Sequence, residues 1–142
     1  MKIIELLSIS ETQWEEFREL FAELNPSIIV NKEKIVKALE SPETNVFVLL
    51  DGDEHIIGSA TLCVSDLPTG RIASVEAVVV KSQYRGQGLG KMLMEHVIEY
   101  ARREFPGIAI HLTSNPNRVA ANEMYKSIGF QKVDTNVYRM EV

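Results

Sequence analysis

The sequence has little cysteine and no long apolar segment. Its single cysteine, Cys63, cannot form an intramolecular disulfide. No run approaches the roughly 18 uninterrupted apolar residues of a transmembrane helix, so no membrane partner is expected. The first ten residues, MKIIELLSIS, lack the basic start, long apolar centre and small-residue cleavage site of a signal peptide. These absences predict a cytoplasmic protein.

Positive charge is also scarce. The 142 residues include 15 Lys and Arg against 20 Asp and Glu, which gives a net charge of −5. Nonspecific nucleic-acid binding needs a basic surface, so nucleic acid is not an expected partner. Hydrophobic residues make up 45% and charged residues 25%, as in an ordinary globular chain. The length fits one domain, and we predict a single domain over residues 1–142.

No group of residues predicts a metal site or a nucleophilic cysteine. His55, His96 and His111 show no ligand spacing with acids or cysteines, so no metal is expected. Cys63 lies on a predicted apolar strand with no activating base close in sequence. We therefore expect its thiol to be buried and inert.

The apolar periodicity predicts a mixed α/β fold with the order β-α-α-β-β-β-α-β-α-β-β. This order corresponds to a mixed sheet of six to seven strands with about four helices. Ser10 and Gln13 have the spacing of a capping box, and Pro26 ends the helix that follows. The segments FQKV and VYRME, residues 130–133 and 137–141, are expected to pair as a final hairpin.

One stretch, SVEAVVVKSQYRGQGLGK at residues 74–91, joins a valine-rich strand to a predicted helix through three alternate glycines. The first turn of a helix leaves backbone N–H groups free, and its dipole attracts anions. Glycine lets the backbone approach a ligand closely, because it has no Cβ. Arg85 and Lys91 add positive charge on either side. The pattern indicates a phosphate-binding loop.

Two nucleotide-binding motifs fit this loop poorly. A nucleotide P-loop needs glycine where Arg85 stands and a hydroxyl residue where Met92 stands. A dinucleotide-binding loop has its third glycine one residue later and an acidic residue at a strand end about 20 residues onward. Glu104 is near that distance, but it ends a predicted helix. A glycine turn without a ligand is the remaining structural alternative.

The pattern R-x-x-G-x-G fits at Arg85, Gly88 and Gly90, and it resembles the acetyl-CoA loop of the GNAT acyltransferase superfamily. The segment RVAANEMYKSIGF, residues 118–130, is similar to that family's A-x-x-x-Y-x-x-x-G-F segment. The resemblance covers residues 46–142 and, more loosely, the two N-terminal helices. It implies a GNAT-like fold and direct acetyl transfer from acetyl-CoA to a primary amine of a small molecule or peptide, without a metal. Dimers are common in the family, so a homodimer is consistent with the resemblance.

The resemblance also implies where the cofactor binds. The loop's backbone amides would hold the diphosphate of acetyl-CoA, with Arg85 adding charge. These amides belong to Gly86, Gln87, Gly88, Leu89, Gly90 and Lys91. Val78 and Val80 take the place of strand residues whose backbone pairs with the pantetheine arm. Many members have Asn seven residues before the tyrosine, where this chain has Arg118. Asn117 is therefore assigned as the cofactor contact, with Asn115 and Arg118 as alternatives.

Tyr125 matches the family's tyrosine near the thioester sulfur, so the resemblance implies that it is the general acid for the departing thiolate. The alternative is a tyrosine that only packs in its helix.

Strand alternation places Glu76 on one face with Ser74, Val78 and Val80. Some members carry a glutamate at this place, which implies a general base for the attacking amine. The alternatives are a solvent-facing Glu76 or a pair with Arg71.

Two further functions remain open from the sequence. One is a non-catalytic, acyl-CoA-binding regulatory module of the same fold. The other is a protein that binds nucleotide phosphates. The residues do not identify the acceptor amine. The net negative charge favours a cationic acceptor, such as a polyamine, an aminosugar or a lysine-like amine.

Overall fold

The computed structural model describes all residues from Met1 to Val142, and they divide into two compact units, Met1–Leu112 and Thr113–Val142. The elements of the first unit are β1 (Lys2–Glu5), α1 (Glu11–Leu24), α2 (Lys32–Glu40), β2 (Thr44–Leu50), β3 (Ile56–Leu67), β4 (Gly70–Val80), a 3₁₀ turn (Ser82–Tyr84), α3 (Leu89–Glu104) and β5 (Ile110–His111). The second unit contains α4 (Val119–Ser127).

The five strands form one mixed sheet in the order β1-β2-β3-β4-β5. The first four strands are antiparallel neighbours, and β5 runs parallel to β4. The mixed α/β class and the four helices are confirmed. The strand number is below the expected six to seven, because the predicted final hairpin does not form.

Both halves of that predicted hairpin lack strand structure, and every residue from 131 to 142 is exposed. A two-stranded hairpin is marginal in water unless it packs against other structure. The weak alternation of FQKV and VYRME therefore does not produce strands by itself. The prediction of a sixth and a seventh strand was wrong for this structure.

Helix α1 begins as the sequence predicts. The Ser10 Oγ accepts a hydrogen bond from the Gln13 N–H at 3.2 Å, and the Gln13 Oε1 accepts one from the Ser10 N–H at 2.9 Å. This reciprocal capping box satisfies two N–H groups that the helix geometry leaves free. The helix ends at Leu24, two residues before Pro26.

Helices α1 and α2 cover one face of the sheet, and α3 covers the other. The buried cluster on the α1/α2 face contains Leu6, Phe17, Leu20, Val46, Val48, Leu50, Ile56 and Val79. The cluster on the α3 face contains Leu49, Ile57, Val80 and Leu89. Burying each such side chain contributes about 1.5–3 kcal/mol. No helix in the structure has the length and apolar character needed to cross a bilayer.

A β-bulge interrupts β4 at Ala77. Thr61 of β3 lies opposite Glu76, whereas Ser59 lies opposite Val79, so β4 has one extra residue there. Ala77 adopts the left-handed conformation with φ of 53°, which is rare for a residue with a Cβ. The bulge reverses the alternation beyond Glu76. Val80 therefore lies on the α3 face, and the expectation that it shares a face with Glu76 was wrong.

Candidate active site

The loop between β4 and α3 has the backbone shape that its glycines allow. Gly86 and Gly88 have φ values of 79° and 76°, in the left-handed region that glycine enters without a steric cost. A Cβ built at either position meets no atom within 4 Å, so the space around both residues is open. The glycines are needed here for conformation, and they leave the backbone accessible.

Gly88 is the N-cap of α3, and no side chain caps this helix. The N–H groups at the start of a helix have no intrahelical acceptor, and here they belong to Leu89, Gly90 and Lys91. These N–H groups and the helix dipole make the electrostatic potential positive at the N-terminus of α3. This end of α3 can hold an anion through its backbone alone.

The two basic side chains of the loop behave differently. The Arg85 Nε donates to the Val80 carbonyl at 2.8 Å, and its NH2 lies 3.5 Å from a carboxylate oxygen of Glu23 on α1. The Lys91 Nζ lies 3.9 Å from the Glu95 carboxylate, and its side chain is about half exposed. Lys91 is thus directed to solvent, whereas Arg85 ties the loop to β4 and α1.

The edge of β4 beside this loop has no neighbouring strand. Strand β5 pairs with β4 only at Ala73 and Ser74. The β5-side edge of β4 from Val75 to Val80 therefore has no strand partner for its backbone groups. An extended ligand with amide groups fits such an edge as an added strand. Together with the open amides of α3, this edge fits a ligand that combines an anionic group with an extended chain of amides.

Glu76 lies at the bulge, and its side chain is exposed. The strand register places it on the face that α1 and α2 cover, beside Thr61 of β3. His111 of β5 pairs with Ser74 and belongs to the same face, where it is also exposed. No ion pair joins Glu76 to Arg71, because the Arg71 Nε contacts Asp66 at 2.8 Å. Glu76 is thus an exposed residue without an ion-pair partner, at the stretch of β4 that β5 does not pair with.

Cys63 is half-buried on that face, opposite Ser74. Burial raises the pKa of its thiol, and the negative charge of Glu76 raises it further. A thiol whose pKa is raised is poorly ionised at neutral pH, so it is a weak nucleophile. This agrees with the prediction of an inert cysteine, although the side chain is less buried than expected.

Tyr125 lies in α4 of the second unit, and its side chain is buried, with 6% exposure. Its ring packs edge-on against Phe130, with the centroids 6.0 Å apart. Burial raises the pKa of its hydroxyl above the ordinary value near 10, and the positive charge of Arg118 opposes that shift. The phenol is therefore fully protonated at neutral pH, as a proton donor must be.

The turn before α4 gives its three candidate cofactor contacts different environments. The Asn115 Oδ1 accepts a hydrogen bond from the Asn117 N–H at 3.2 Å, so the Asn115 side chain shapes the turn. Asn117 and Arg118 are exposed. The Ser114 Oγ is buried and has no hydrogen-bond partner. This hydroxyl was not predicted from the sequence, since nothing in the motif marks it.

The first unit holds the predicted loop, Val78, Val80 and Glu76, with Val80 and Glu76 on opposite faces of the sheet. The second unit holds Asn117 and Tyr125. The positions of Glu23 beside the turn and of His111 beside Glu76 were not predicted from the sequence. Glu23 meets the loop from 59 residues away in sequence, which no local pattern reveals. His111 joins the face of Glu76 only through the β4–β5 register.

A mixed sheet with a bulged strand, an unpaired edge and an open glycine loop before α3 defines an acetyltransferase-like fold. The family model described as the acetyltransferase (GNAT) family matches residues 6–130, and the chain belongs to that family. Members of the family use acetyl-CoA as co-substrate and act on amines. The resemblance found in the sequence is thereby confirmed.

Individual relatives agree with this assignment. The chain is 27% identical over 108 residues to human N-acetyltransferase 8B, a match that covers 75% of this chain and 47% of the relative. The chain spans about half the length of the curated relatives it matches.

Solved structures share the fold over the whole chain. An aminoglycoside 6'-N-acetyltransferase from Acinetobacter baumannii has a TM-score of 0.77 at 18% identity, covering 99% of this chain and 97% of that one. A ribosomal-protein-alanine N-acetyltransferase from Brucella melitensis has a TM-score of 0.76 at 19% identity, covering 100% of both chains. At these identities the likeness concerns the fold alone.

Proposed function

We propose that this chain is an N-acetyltransferase that moves an acetyl group directly from acetyl-CoA to a primary amine. The observation that carries the proposal is the open, uncapped N-terminus of α3 behind two left-handed glycines, next to the unpaired edge of β4. The family match to residues 6–130 supports the same activity. It extends over both compact units, which supports our proposal that residues 1–142 work as one domain.

The chain's own groups have the following proposed roles in binding. The amides of residues 86–91 bind the diphosphate, and the backbone of Val78 and Val80 pairs with the pantetheine arm. Asn117 is the proposed second contact to that arm. When acetyl-CoA is bound, its thioester supplies the activated acetyl group. The backbone amide near Val78 donates to the thioester carbonyl oxygen and stabilises the negative charge that develops there.

Two side chains handle the protons. Glu76 takes a proton from the acceptor ammonium, directly or through water, so that a neutral amine forms its bond to the acetyl carbon. As the carbon–sulfur bond breaks, Tyr125 gives its hydroxyl proton to the leaving thiolate. The second proton of the amine nitrogen leaves to solvent as the amide forms, and the phenol regains its proton from solvent. The products are an N-acetylated amine and free CoA, and no covalent enzyme intermediate is needed. The exposure of Glu76 and the protonated phenol of Tyr125 support these assignments.

The two structural neighbours named above act on chemically different amines, an aminoglycoside and a ribosomal protein's alanine, within the same fold. The fold therefore does not select the acceptor. The net charge of −5 supports a cationic acceptor, as the sequence predicts.

The test is a panel of amines incubated with acetyl-CoA and the purified protein, with release of the CoA thiol as the readout. The panel contains polyamines, aminosugars, lysine analogues and peptides with free N-termini. We expect thiol release with at least one acceptor, and loss of that release in Tyr125→Phe. Tight binding of acetyl-CoA with no acceptor-dependent release would instead favour a non-catalytic acyl-CoA-binding module.

A further inference from the structure

A carboxylate from α1 contacts the turn that leads into the glycine loop. The Ser82 N–H donates a hydrogen bond to the Glu23 Oε2 at 2.7 Å. The same oxygen lies 3.5 Å from the Arg85 NH2. One side chain thus binds both ends of the segment that connects β4 to Gly86. Since a charged acceptor forms a stronger hydrogen bond than a neutral one, the Ser82 contact restrains this turn effectively.

Arg85 extends the same restraint to β4. Its Nε donates to the carbonyl of Val80, the last residue of the strand, at 2.8 Å. The guanidinium therefore lies between the strand end and Glu23. Tyr84 adds a further hydrogen bond, since its hydroxyl donates to the Asp51 Oδ2 at 3.2 Å. The turn of residues 81–85 is held from α1, from β4 and from the β2–β3 turn.

A second carboxylate of α1, Glu19, provides a natural comparison. It lies one helical turn before Glu23, and its Oε2 is 3.8 Å from the Lys81 Nζ. Its side chain is 67% exposed, against 34% for Glu23. Glu19 forms only this loose ion pair, whereas Glu23 also accepts a backbone hydrogen bond. The two residues carry the same charge near the same turn but differ in contact.

We propose that Glu23 is a positioning residue that keeps the turn of residues 81–85 in the shape that presents the loop amides to the CoA diphosphate. This inference rests on the proposed function of the loop. The negative charge of Glu23 by itself disfavours an anion at the neighbouring loop. Any gain in CoA affinity from Glu23 must therefore come from its ordering of the turn of residues 81–85. A loop fixed before binding loses less conformational freedom when the ligand arrives, and affinity rises accordingly.

The experiment compares three variants by calorimetric titration with CoA. Glu23→Ala removes both contacts, and we expect CoA to bind about tenfold more weakly. Glu23→Gln keeps a carbonyl oxygen for the Ser82 N–H but loses the charge toward Arg85, and we expect a loss of about two- to threefold. Glu19→Ala is the control, and its affinity should equal that of the wild type.

Two further readouts separate positioning from a general structural effect. In steady-state assays, Glu23→Ala should raise KM for acetyl-CoA and leave kcat at saturation unchanged. In hydrogen exchange without CoA, the amides of residues 82–88 should exchange faster in Glu23→Ala than in Glu19→Ala. The exchange measurement needs no ligand, so it tests the order of the turn even if the loop's proposed function fails.

Three results would overturn the inference. Unchanged CoA affinity in Glu23→Ala would mean that the turn does not need the carboxylate. Tighter binding would mean that Glu23 competes with the diphosphate for Arg85. Unchanged exchange at residues 82–88 would mean that Glu23 does not order the turn. A wild-type protein that binds no CoA would instead refute the proposed function, which is a separate outcome.

Discussion

At the scale of single residues, the proposed general acid Tyr125 has a buried side chain that is fixed by packing. Its side chain is 6% exposed, and burial raises the pKa of its hydroxyl. The phenol is therefore protonated at neutral pH, and the raised pKa also makes it a weaker acid toward a thiolate. Packing against Phe130 fixes the ring.

We predict that Tyr125→Phe lowers kcat about 100-fold and leaves KM for acetyl-CoA unchanged, because phenylalanine keeps the ring contacts and lacks only the proton. Steady-state kinetics with an acceptor from the amine panel provide the measurement. Tyr138→Phe is the control, since that hydroxyl lies in the exposed C-terminal segment. Full activity in Tyr125→Phe would remove the general-acid role.

The proposed role of Glu76 as a general base predicts a pH-dependent effect, because a base is needed only while the acceptor amine is protonated. We expect Glu76→Gln to lower kcat/KM for the amine about 10- to 100-fold at neutral pH. The loss should shrink as the pH approaches the pKa of the acceptor, since the amine is then already neutral. Rate measurements over pH 6–9.5 (roughly the span below a lysine-like pKa) test this. Glu43→Gln, another exposed acid, is the control.

A Glu76→Gln enzyme with wild-type activity at every pH would refute the base assignment. His111 would then be the next residue to replace, because it is exposed on the same face of the sheet.

At the scale of elements, the glycine loop depends on backbone conformation. Gly88→Ala forces an alanine to φ near 76°, which costs about 1–2 kcal/mol and favours a different loop shape. We predict that this variant binds CoA at least tenfold more weakly, as calorimetry can measure. Gly107→Ala is a matched control, because Gly107 has a φ of 83°, open surroundings and a position beyond the end of α3.

Both glycine variants should lose similar stability in denaturant unfolding, but only Gly88→Ala should lose CoA affinity. Equal CoA affinity in the two variants would contradict the role of the loop.

Helix α1 is joined to the start of β3 by a contact that titrates. The His55 Nδ1 lies 2.6 Å from the Glu16 Oε1, and this hydrogen bond, followed by the charge of Glu16, raises the pKa of His55. A group whose pKa is raised by folding contributes stability that is complete below its unfolded pKa, here about 6.5, and is lost as the pH rises through the folded value.

We therefore predict that the free energy of unfolding falls as the pH rises from about 6 through the raised pKa of His55. In His55→Gln, this part of the decrease should disappear. Urea unfolding of both proteins at several pH values is the measurement. Equal pH profiles for the wild type and His55→Gln would show that the pair contributes nothing measurable.

Local sequence signals predicted most elements but not their irregularities. The Ser10–Gln13 capping box, the Leu89–Glu104 helix and the glycine loop follow from neighbouring residues, so the sequence predicts them. The bulge at Ala77 reverses a two-residue alternation that looks continuous in VEAVVV. Only pairing with β3 reveals it. The Glu23 contact is likewise not visible in local sequence, because it joins residues 59 positions apart. The predicted hairpin failed because its two segments have no surface to pack against.

At the scale of the whole molecule, the residues with proposed roles are distributed over the two compact units. Residues 74–91 belong to the first unit, and Asn117 and Tyr125 belong to the second. The family match to residues 6–130 includes all of them.

The central claim is that the amides after β4 bind the diphosphate of CoA, and a crystal structure with acetyl-CoA tests it most directly. We predict diphosphate oxygens about 2.7–3.2 Å from backbone nitrogens of residues 86–91, with the pantetheine arm along the β4 edge near Val78. Acetyl-CoA bound elsewhere, with no ligand atom at the start of α3, would contradict the account.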